Sequence, residues 1–447
     1  MGLIIHAHHG RRRTRQPLAC ELITHERSAA FHVGSLFYRP NSRIIRDLGV
    51  LALCVLQEER AGSSSRLKIL DAMSGSGVRS LRYGQEVPGR PWIHSNELMY
   101  GDHPLKRNLE ALVDVGQVQV TSEDAVDIYM RSRINKDRFD FVDCDAFGTG
   151  QPHTAEAWWA VEKNGLLYLC ATDSCTTAGH NPHKAISGYA GVAHAMPSSN
   201  EQGLRLLLGA AWREAAARNL HATPVFSFFH RPSSSFRVMM RLHKPKRPPA
   251  AAYASLGYVG RCQQCGELWQ LGSAELGDAI ADRKACGCQC LCDGDAGNGN
   301  GMASDEVAGG ISLSGPLWIG PLHNATFVRQ MLEHAEGRGW DDAVALLESF
   351  AAEAHAEEGG ALLFYHLGEV QRALAARDLP LPPLQKLIAL LEEEGFASSG
   401  SHSERKALKT SASLEQVVRV VAERWPSSPT ASDADAKPDE PPAEAPQ

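Results

Sequence analysis

From Leu67 to Thr172, short apolar runs alternate with stretches in which hydrophobic side chains recur every three or four positions. The first pattern predicts buried strands and the second helices. Strands are expected at 67–71, 91–96, 117–121, 138–143 and 165–172, with helices between them at 77–87, 101–115, 124–133 and 153–163. This alternation builds an α/β fold around a parallel sheet. Upstream, Ile44 to Leu56 reads as an amphipathic helix, and 201–220 gives another downstream. The apolar stretches Val225–Phe229 and Phe236–Leu242 fit an antiparallel pair that finishes the sheet.

The first strand runs into a turn of small residues, Ser74-Gly-Ser-Gly77, and a helix begins with Val78, Leu81 and Arg82. Strand, glycine turn and helix make a ligand crevice at the carboxyl edge of a parallel sheet. Glycine lets a ligand approach the backbone where a Cβ would clash. Asp71, Ser74 and Gly75 are therefore candidate ligand contacts. No GK[ST] follows, so the turn is not a phosphate loop, and its spacing is not that of a dinucleotide fingerprint. About 20 residues past the glycines the next strand ends in Asn96-Glu97, where a carboxylate can bind ribose hydroxyls. An adenosyl ligand without phosphates, S-adenosylmethionine, fits this combination better than NAD. Asp124 opens the helix after the third strand; it either caps that helix or accepts a hydrogen bond from an adenine amino group.

The fourth strand, Phe139-Asp-Phe-Val-Asp-Cys, runs into Asp145-Ala-Phe-Gly148. An acid at a strand end followed by an aromatic turn suits methyl transfer to an exocyclic amine. Such an amine is conjugated into its ring and is a poor nucleophile. A carboxylate that accepts its N–H groups aims the lone pair at the methyl and stabilises the charge that develops on nitrogen. An aromatic ring fixes the plane of the base by stacking. Asp145 and Phe147 are the candidates for these two roles, the alternative for Asp145 being a turn or cap acid.

Composition adds limits. The chain has 447 residues, 43% hydrophobic and 22% charged, which predicts several soluble globular domains. No apolar run reaches transmembrane length, and the N-terminal patch is too short for a signal peptide. A cytoplasmic location is the default expectation. The net charge of −7 argues against a simple polyanion binder. However, acids concentrate in the tail after Pro426, while Arg11–Arg15 and Arg241–Arg247 are basic. Charge distribution, not net charge, governs nucleic-acid binding.

Of eleven cysteines, six fall between Cys262 and Cys292. Clustered cysteines in a cytosolic chain favour metal over disulfides. Cys262-Gln-Gln-Cys265 and the run Cys286-Gly-Cys288-Gln-Cys290-Leu-Cys292 suggest a structural zinc ribbon. Cys286 and Cys288 are carried as the second pair, although the spacing leaves any two of the four open. Further helices are expected at 324–335, 340–357, 361–376 and 383–394. With the hydroxyl- and base-rich segment Ser398–Lys409, they resemble a winged-helix unit that could grip phosphates. The expected division is 1–248 for the α/β domain with its N-terminal extension, 249–325 for the cysteine-rich module, 326–425 for the helical module and 426–447 for a disordered acidic tail.

Together these stretches resemble the Trm1 family of tRNA (guanine-N2)-dimethyltransferases. The resemblance rests on FYRPNSRIIRDLGVL, ILDAMSGSGVRSLRY, the acid of SNE, EDA, DCDAFGTG, GLLYLCATD, the cysteine knuckles, GPLWIGPLH and FYHLGEV…GFASSGSHSERKALKTSA, in family order. It implies a class I, Rossmann-like methyltransferase that moves one and then a second methyl from S-adenosylmethionine to N2 of guanosine 26 in tRNA. Carried over, Arg46, Arg79, Glu97, Asp124 and Ala125 would contact the cofactor. Asp145 would hold the amino group, with Phe37 and Phe147 stacking on the base. The knuckles would bind zinc, and the C-terminal module would hold the tRNA body. A monomer is expected. One departure stands out: the family usually has proline after the catalytic acid, where this chain has Ala146, which frees the loop. The rival readings are a non-catalytic RNA-binding relative, an amino-methylating enzyme for DNA or rRNA, and a zinc-containing winged-helix regulator.

Overall fold

The computed structural model describes residues 23–34, 38–60, 65–98, 104–243, 248–276 and 311–425. Strands β1 (Ile23–Glu26) and β2 (Ala29–His32) form a hairpin ahead of the long helix α1 (Arg43–Glu59). The alternating region follows as β3 (Lys68–Asp71), α2 (Val78–Glu86), β4 (Trp92–Asn96), α3 (Pro104–Asp114), β5 (Val118–Thr121), α4 (Ala125–Asn135) and β6 (Phe139–Cys144). After a short turn of helix, α5 (His153–Glu156), come β7 (Val161–Ala171), α6 (Ser174–Thr177), α7 (Pro182–Tyr189), α8 (Ser199–Ala217), β8 (Ala222–His230) and β9 (Ser235–Leu242).

These strands form one seven-stranded sheet in the order β5-β4-β3-β6-β7-β9-β8. The pairs from β5 to β7 are parallel, while β9 runs antiparallel to both β7 and β8. The order reverses between β3 and β6, which opens a crevice beyond their carboxyl ends. All six residues of β6 are buried, as a strand covered on both faces requires. Helix was expected at 153–163; the chain is helical through α5 and a following 3-10 turn, Ala157–Trp159, and is already extended at Val161. Ala157, Trp158, Ala160 and Val161 are all buried, and the Trp158 indole N–H donates to Ala211 O on α8. Apolar contacts on every side had imitated helical periodicity.

The chain continues through β10 (Leu256–Cys262), β11 (Leu268–Gly272) and β12 (Ile311–Trp318), a three-stranded antiparallel sheet. Its strand β12 lies tight on α8, since a Cβ at Gly209 would sit 3.1 Å from Leu317 Cα. Helices α9 (Ala325–Gly337) and α10 (Asp341–Glu358) then pack Phe327, Met331 and Phe350 into one core with α1 and the sheet. The hydrophobic core therefore does not stop at residue 325. A separate small core is built from β13 (Tyr365–His366), α11 (Leu367–Ala375), α12 (Leu384–Glu393), the hairpin β14 (Ser398–Ser401) and β15 (Glu404–Thr410), and α13 (Leu414–Arg424). The helix expected at 361–376 starts only at Leu367. Tyr365 pairs with Leu408 in the sheet, and His366 caps the helix in a reciprocal capping box with Glu369.

A buried ionic cluster ties this C-terminal unit to the sheet domain. Lys409 Nζ on β15 lies 2.6 Å from Glu357, 3.1 Å from Glu201 and 3.2 Å from Glu353, and Arg205 Nη2 bridges Glu201 and Glu357. Burial alone would favour a neutral lysine, but the three carboxylates raise its pKa instead. His323, Glu353 and His402 bring possible metal-ligating atoms within 4.8 Å of one another. However, Phe229 N–H donates to His402 Nε2, which leaves Nδ1 protonated and donating to Glu353 at 2.7 Å. With Lys409 also on Glu353, this group is a hydrogen-bonded ion cluster in which a cation is already present.

Candidate active site

The turn after β3 is fixed by its neighbours on β4. Ser74 N–H donates to Asn96 O at 2.8 Å, and Gly75 N–H to Glu97 Oε2 at 2.8 Å. Gly77 caps α2 at φ +79°, and a Cβ there would meet Leu105 Cδ1 at 2.6 Å. Only glycine fits both constraints. Gly75, at φ +52°, faces open space. That space is a cavity of 690 Å³ lined by Tyr38, Arg46, Gly75, Glu97, Asp145 and Phe147, among others. A second cavity of 240 Å³, lined by Asp124, Ala125, Pro152 and His153, shares Met73 and Glu97 with the first. The two form one trough along the sheet edge, with Glu97 at the junction.

Asp145 stands one residue beyond β6 with its side chain one-third exposed. Arg79 Nη2 donates to its Oδ2 at 2.9 Å, and Arg237 Nη2 lies 2.7 Å from Oδ1. Burial would raise the carboxyl pKa, but Arg237 and then Arg79 outweigh it and hold the group well below the usual range. The carboxylate is therefore ionised at any working pH. Arg79 is anchored from behind, with Nη1 on Asp143 Oδ2 at 2.7 Å. Beside it, Phe147 is 77% exposed and lines the trough. The loop is pinned to the end of β7, because Gly148 N–H donates to Thr172 Oγ1 and Thr172 N–H to Gly148 O. This pair holds the turn that Ala146 leaves without a proline.

The family model for N2,N2-dimethylguanosine tRNA methyltransferases matches residues 21–422. The chain belongs to that family. It is 24% identical over 389 residues to the tRNA (guanine(26)-N(2))-dimethyltransferase of Methanobrevibacter smithii, covering 86% of this chain and 91% of that one. To the enzyme of the same name from Methanothermobacter thermautotrophicus it is 28% identical over 399 residues, 88% of this chain and 93% of that one. A solved structure of Trm1 from Pyrococcus horikoshii with S-adenosyl-L-methionine superposes with a TM-score of 0.69 at 20% identity, covering 89% of this chain and 99% of that one. The last likeness is one of fold: the mostly parallel, Rossmann-like seven-stranded sheet.

Within this family member most of the candidate residues line the trough. Ser74, Gly75, Arg79, Glu97 and Asp145 line the larger cavity, and Asp124 and Ala125 the smaller one. Asp124 also caps α4, accepting from Val126 N–H at 2.8 Å. Arg46 lines the trough but is largely committed, with Nε and Nη2 on Glu26 at 2.7 and 2.5 Å. Asp71 lies beneath the turn, 1% exposed, and accepts from Ser80 Oγ at 2.7 Å. Burial and the neighbouring Asp143 carboxylate push its pKa up to about 7. Phe37, Cys286 and Cys288 lie outside the described residues. Cys262 ends β10, and backbone N–H groups of Cys265 and Gln264 point at its sulfur, while Glu267 N–H donates to Cys265 Sγ at 3.4 Å.

Sequence reasoning did not find Arg237, which comes from the antiparallel strand β9 opposite Cys170. A signal was present: Arg237 stands between Phe236 and the apolar run Val238-Met-Met240, in the interior of a strand expected to be buried. A cation in such a strand needs an anionic partner. It also did not see Arg79 as the link between Asp143 and Asp145.

Proposed function

We propose that this protein is an S-adenosylmethionine-dependent tRNA methyltransferase that modifies N2 of guanosine 26, giving N2-methyl- and then N2,N2-dimethylguanosine. The single observation that carries the mechanism is the Asp145 carboxylate at the end of β6, paired with Arg79 and Arg237, beside the exposed Phe147 ring.

The trough suits the cofactor's shape and polarity. Glu97, at the junction of its two parts, is placed to bind ribose hydroxyls, Asp124 and Ala125 to bind the adenine, and the open face of Gly75 to admit the chain that carries the methyl. Bound S-adenosylmethionine supplies a methyl on a sulfonium, electrophilic without acid assistance. Asp145 accepts N–H hydrogen bonds from the guanine amine and aims its lone pair at that methyl. So acidic a carboxylate does not deprotonate the resting amine. It holds the hydrogen bond and stabilises the positive charge that appears on nitrogen during transfer. As the N–C bond forms, the sulfonium's S–C bond breaks and leaves the neutral thioether. The nitrogen, now cationic and far more acidic than a carboxylic acid, passes its proton along the hydrogen bond to Asp145, which returns it to solvent. The same contact serves the second transfer, because N2-methylguanine keeps one N–H. Phe147 stacks on the base, with Phe37 on the opposite face.

The unit from β13 to α13 combines three helices and a basic hairpin bearing Arg405, Lys406 and Lys409, which supports a winged-helix role in gripping the tRNA. Lys409 itself is committed to the buried cluster, so Arg405 and Lys406 are the candidates for phosphate. The knuckle at Cys262 and Cys265 suits zinc, since backbone N–H groups aimed at sulfur favour thiolates. Among the described residues no helix is long and apolar enough to cross a membrane. A cytoplasmic monomer remains the working expectation.

The test is transfer of labelled methyl from S-adenosylmethionine to unmodified tRNA, with rRNA and duplex DNA as competing acceptors. Label confined to tRNA supports this reading, and transfer to rRNA or DNA alone refutes it.

A further inference from the structure

Two arginines hold Asp145, and they are not equivalent. Arg79 is fully used, with one terminal nitrogen on Asp143 and the other on Asp145. Arg237 reaches Asp145 Oδ1 through Nη2, while its Nε is buried without a partner among the described residues. The residue is 6% exposed, and what shows of it lines the larger cavity, as Phe147 does. An arginine presents five N–H donors in a rigid fork and cannot lose its charge. Nε is sealed from the cavity, so what a ligand can meet is the terminal part of the fork at the cavity wall, beside the Asp145 carboxylate.

We propose that Arg237 reads O6 of the target guanine and is a specificity-determining residue. This rests on the reading of the trough as a guanine-N2 methylation site. The Watson–Crick edge of guanine presents N2–H, N1–H and O6 in a row: two donors and then an acceptor. Asp145 offers acceptors for the first two, since each carboxylate oxygen keeps a lone pair beyond the one its arginine takes. Arg237, hydrogen-bonded to the same carboxylate, sets a donor next to them for O6. Adenine has neither a 2-amino group nor an acceptor at position 6 and would place an amino group against the guanidinium. The acid and the arginine thus select the base together, one by the amine that reacts and the other by the oxygen that does not.

The test uses tRNA with guanosine or 2-aminopurine riboside at position 26. The analogue keeps the 2-amino group but lacks O6 and the N1 proton. The first methyl transfer is measured as kcat/KM for wild type and Arg237→Met, with cofactor binding by calorimetry as the check on folding. Wild type prefers guanosine. In Arg237→Met that preference falls by about tenfold or more, because the guanosine reaction loses a charged hydrogen bond that the analogue never made. The N1 contribution is common to both proteins and cancels in the comparison. If the two substrates lose rate equally, Arg237 only positions Asp145 and the proposal is overturned. Should Arg237→Met fail to fold, Arg237→Lys is scored in the same way: a reduced preference supports the proposal, and an unchanged one overturns it. Loss of both reactions with cofactor binding intact also overturns it, since a base-reading contact leaves the analogue reaction standing. Wild-type protein that methylates neither tRNA overturns the underlying reading as well, which an unchanged preference does not.

Discussion

Replacing Asp145 by asparagine keeps the side chain's shape and removes its charge. In the native trough the carboxylate accepts from Arg79 Nη2 at 2.9 Å and lies 2.7 Å from Arg237 Nη2. An amide has one acceptor oxygen and a donor NH₂, so it can satisfy only one arginine and turns N–H groups toward the other, or toward the substrate amine. The transition state loses a charge-assisted hydrogen bond and the compensation of its cationic nitrogen, together about 3–4 kcal/mol by analogy with lost electrostatic contacts in active sites. That is about a 100- to 1,000-fold fall in the rate of methyl transfer. The stability cost is smaller, about 1–2 kcal/mol, because the carboxylate is one-third exposed and Arg79 keeps Asp143. Single-turnover transfer to unmodified tRNA measures the rate, and calorimetry with S-adenosylmethionine reports the cofactor site. The reasoning predicts lost rate with cofactor affinity within about threefold of wild type, about 0.65 kcal/mol and so less than one hydrogen bond to a charged group. Rate retained to within tenfold would refute Asp145 as the amine-binding acid.

Other perturbations test the surrounding elements. Glu97→Ala removes the carboxylate that fixes Gly75 N–H and faces both cavities, so cofactor Kd should rise about 10- to 100-fold by calorimetry; an unchanged Kd removes Glu97 from the ribose site. Asp71 has a folded pKa raised to about 7, so the folded state binds more protons than the unfolded one between about pH 4 and 7, and stability falls as pH rises through that window. Asp71→Asn abolishes this fall, so the variant should melt higher than wild type at pH 8, with the gain shrinking toward pH 5. A gain of equal size at both values would show that Asp71 does not titrate there. Cys262→Ser should lower zinc content by elemental analysis and melting temperature together, and normal zinc content would end the ribbon reading.

The parallel sheet was legible because short strands with apolar positions alternate with helical patterns, and β3 to β6 fall within one or two residues of their expected positions. The site was legible where it depends on strand ends: Asp145, Glu97 and the glycine turn come to the sheet edge by topology alone. What could not be read was what one part of the chain does to another. Arg237 meets Asp145 from a strand more than ninety residues later, and no local pattern pairs them. Glu201, Arg205, Glu353 and Glu357 have the spacing of solvated helix faces, yet all four are buried around Lys409. Helix periodicity shows that a face is polar; it does not show that another charged face will cover it. The extended start of β7 was missed for the converse reason, because buried Ala157, Trp158, Ala160 and Val161 imitate a helical period and the polar Glu162-Lys-Asn164 that follows carries no strand pattern.

The most direct measurement is nucleoside analysis of tRNA after incubation with the protein and labelled S-adenosylmethionine, run beside a tRNA with adenosine at position 26. The account predicts N2,N2-dimethylguanosine in the first tRNA and none in the second. Labelled dimethylguanosine that persists in the adenosine-26 tRNA would place the reaction at another guanosine. No labelled nucleoside in either, with cofactor bound, would contradict the assignment of Asp145 to a working methyl-transfer site.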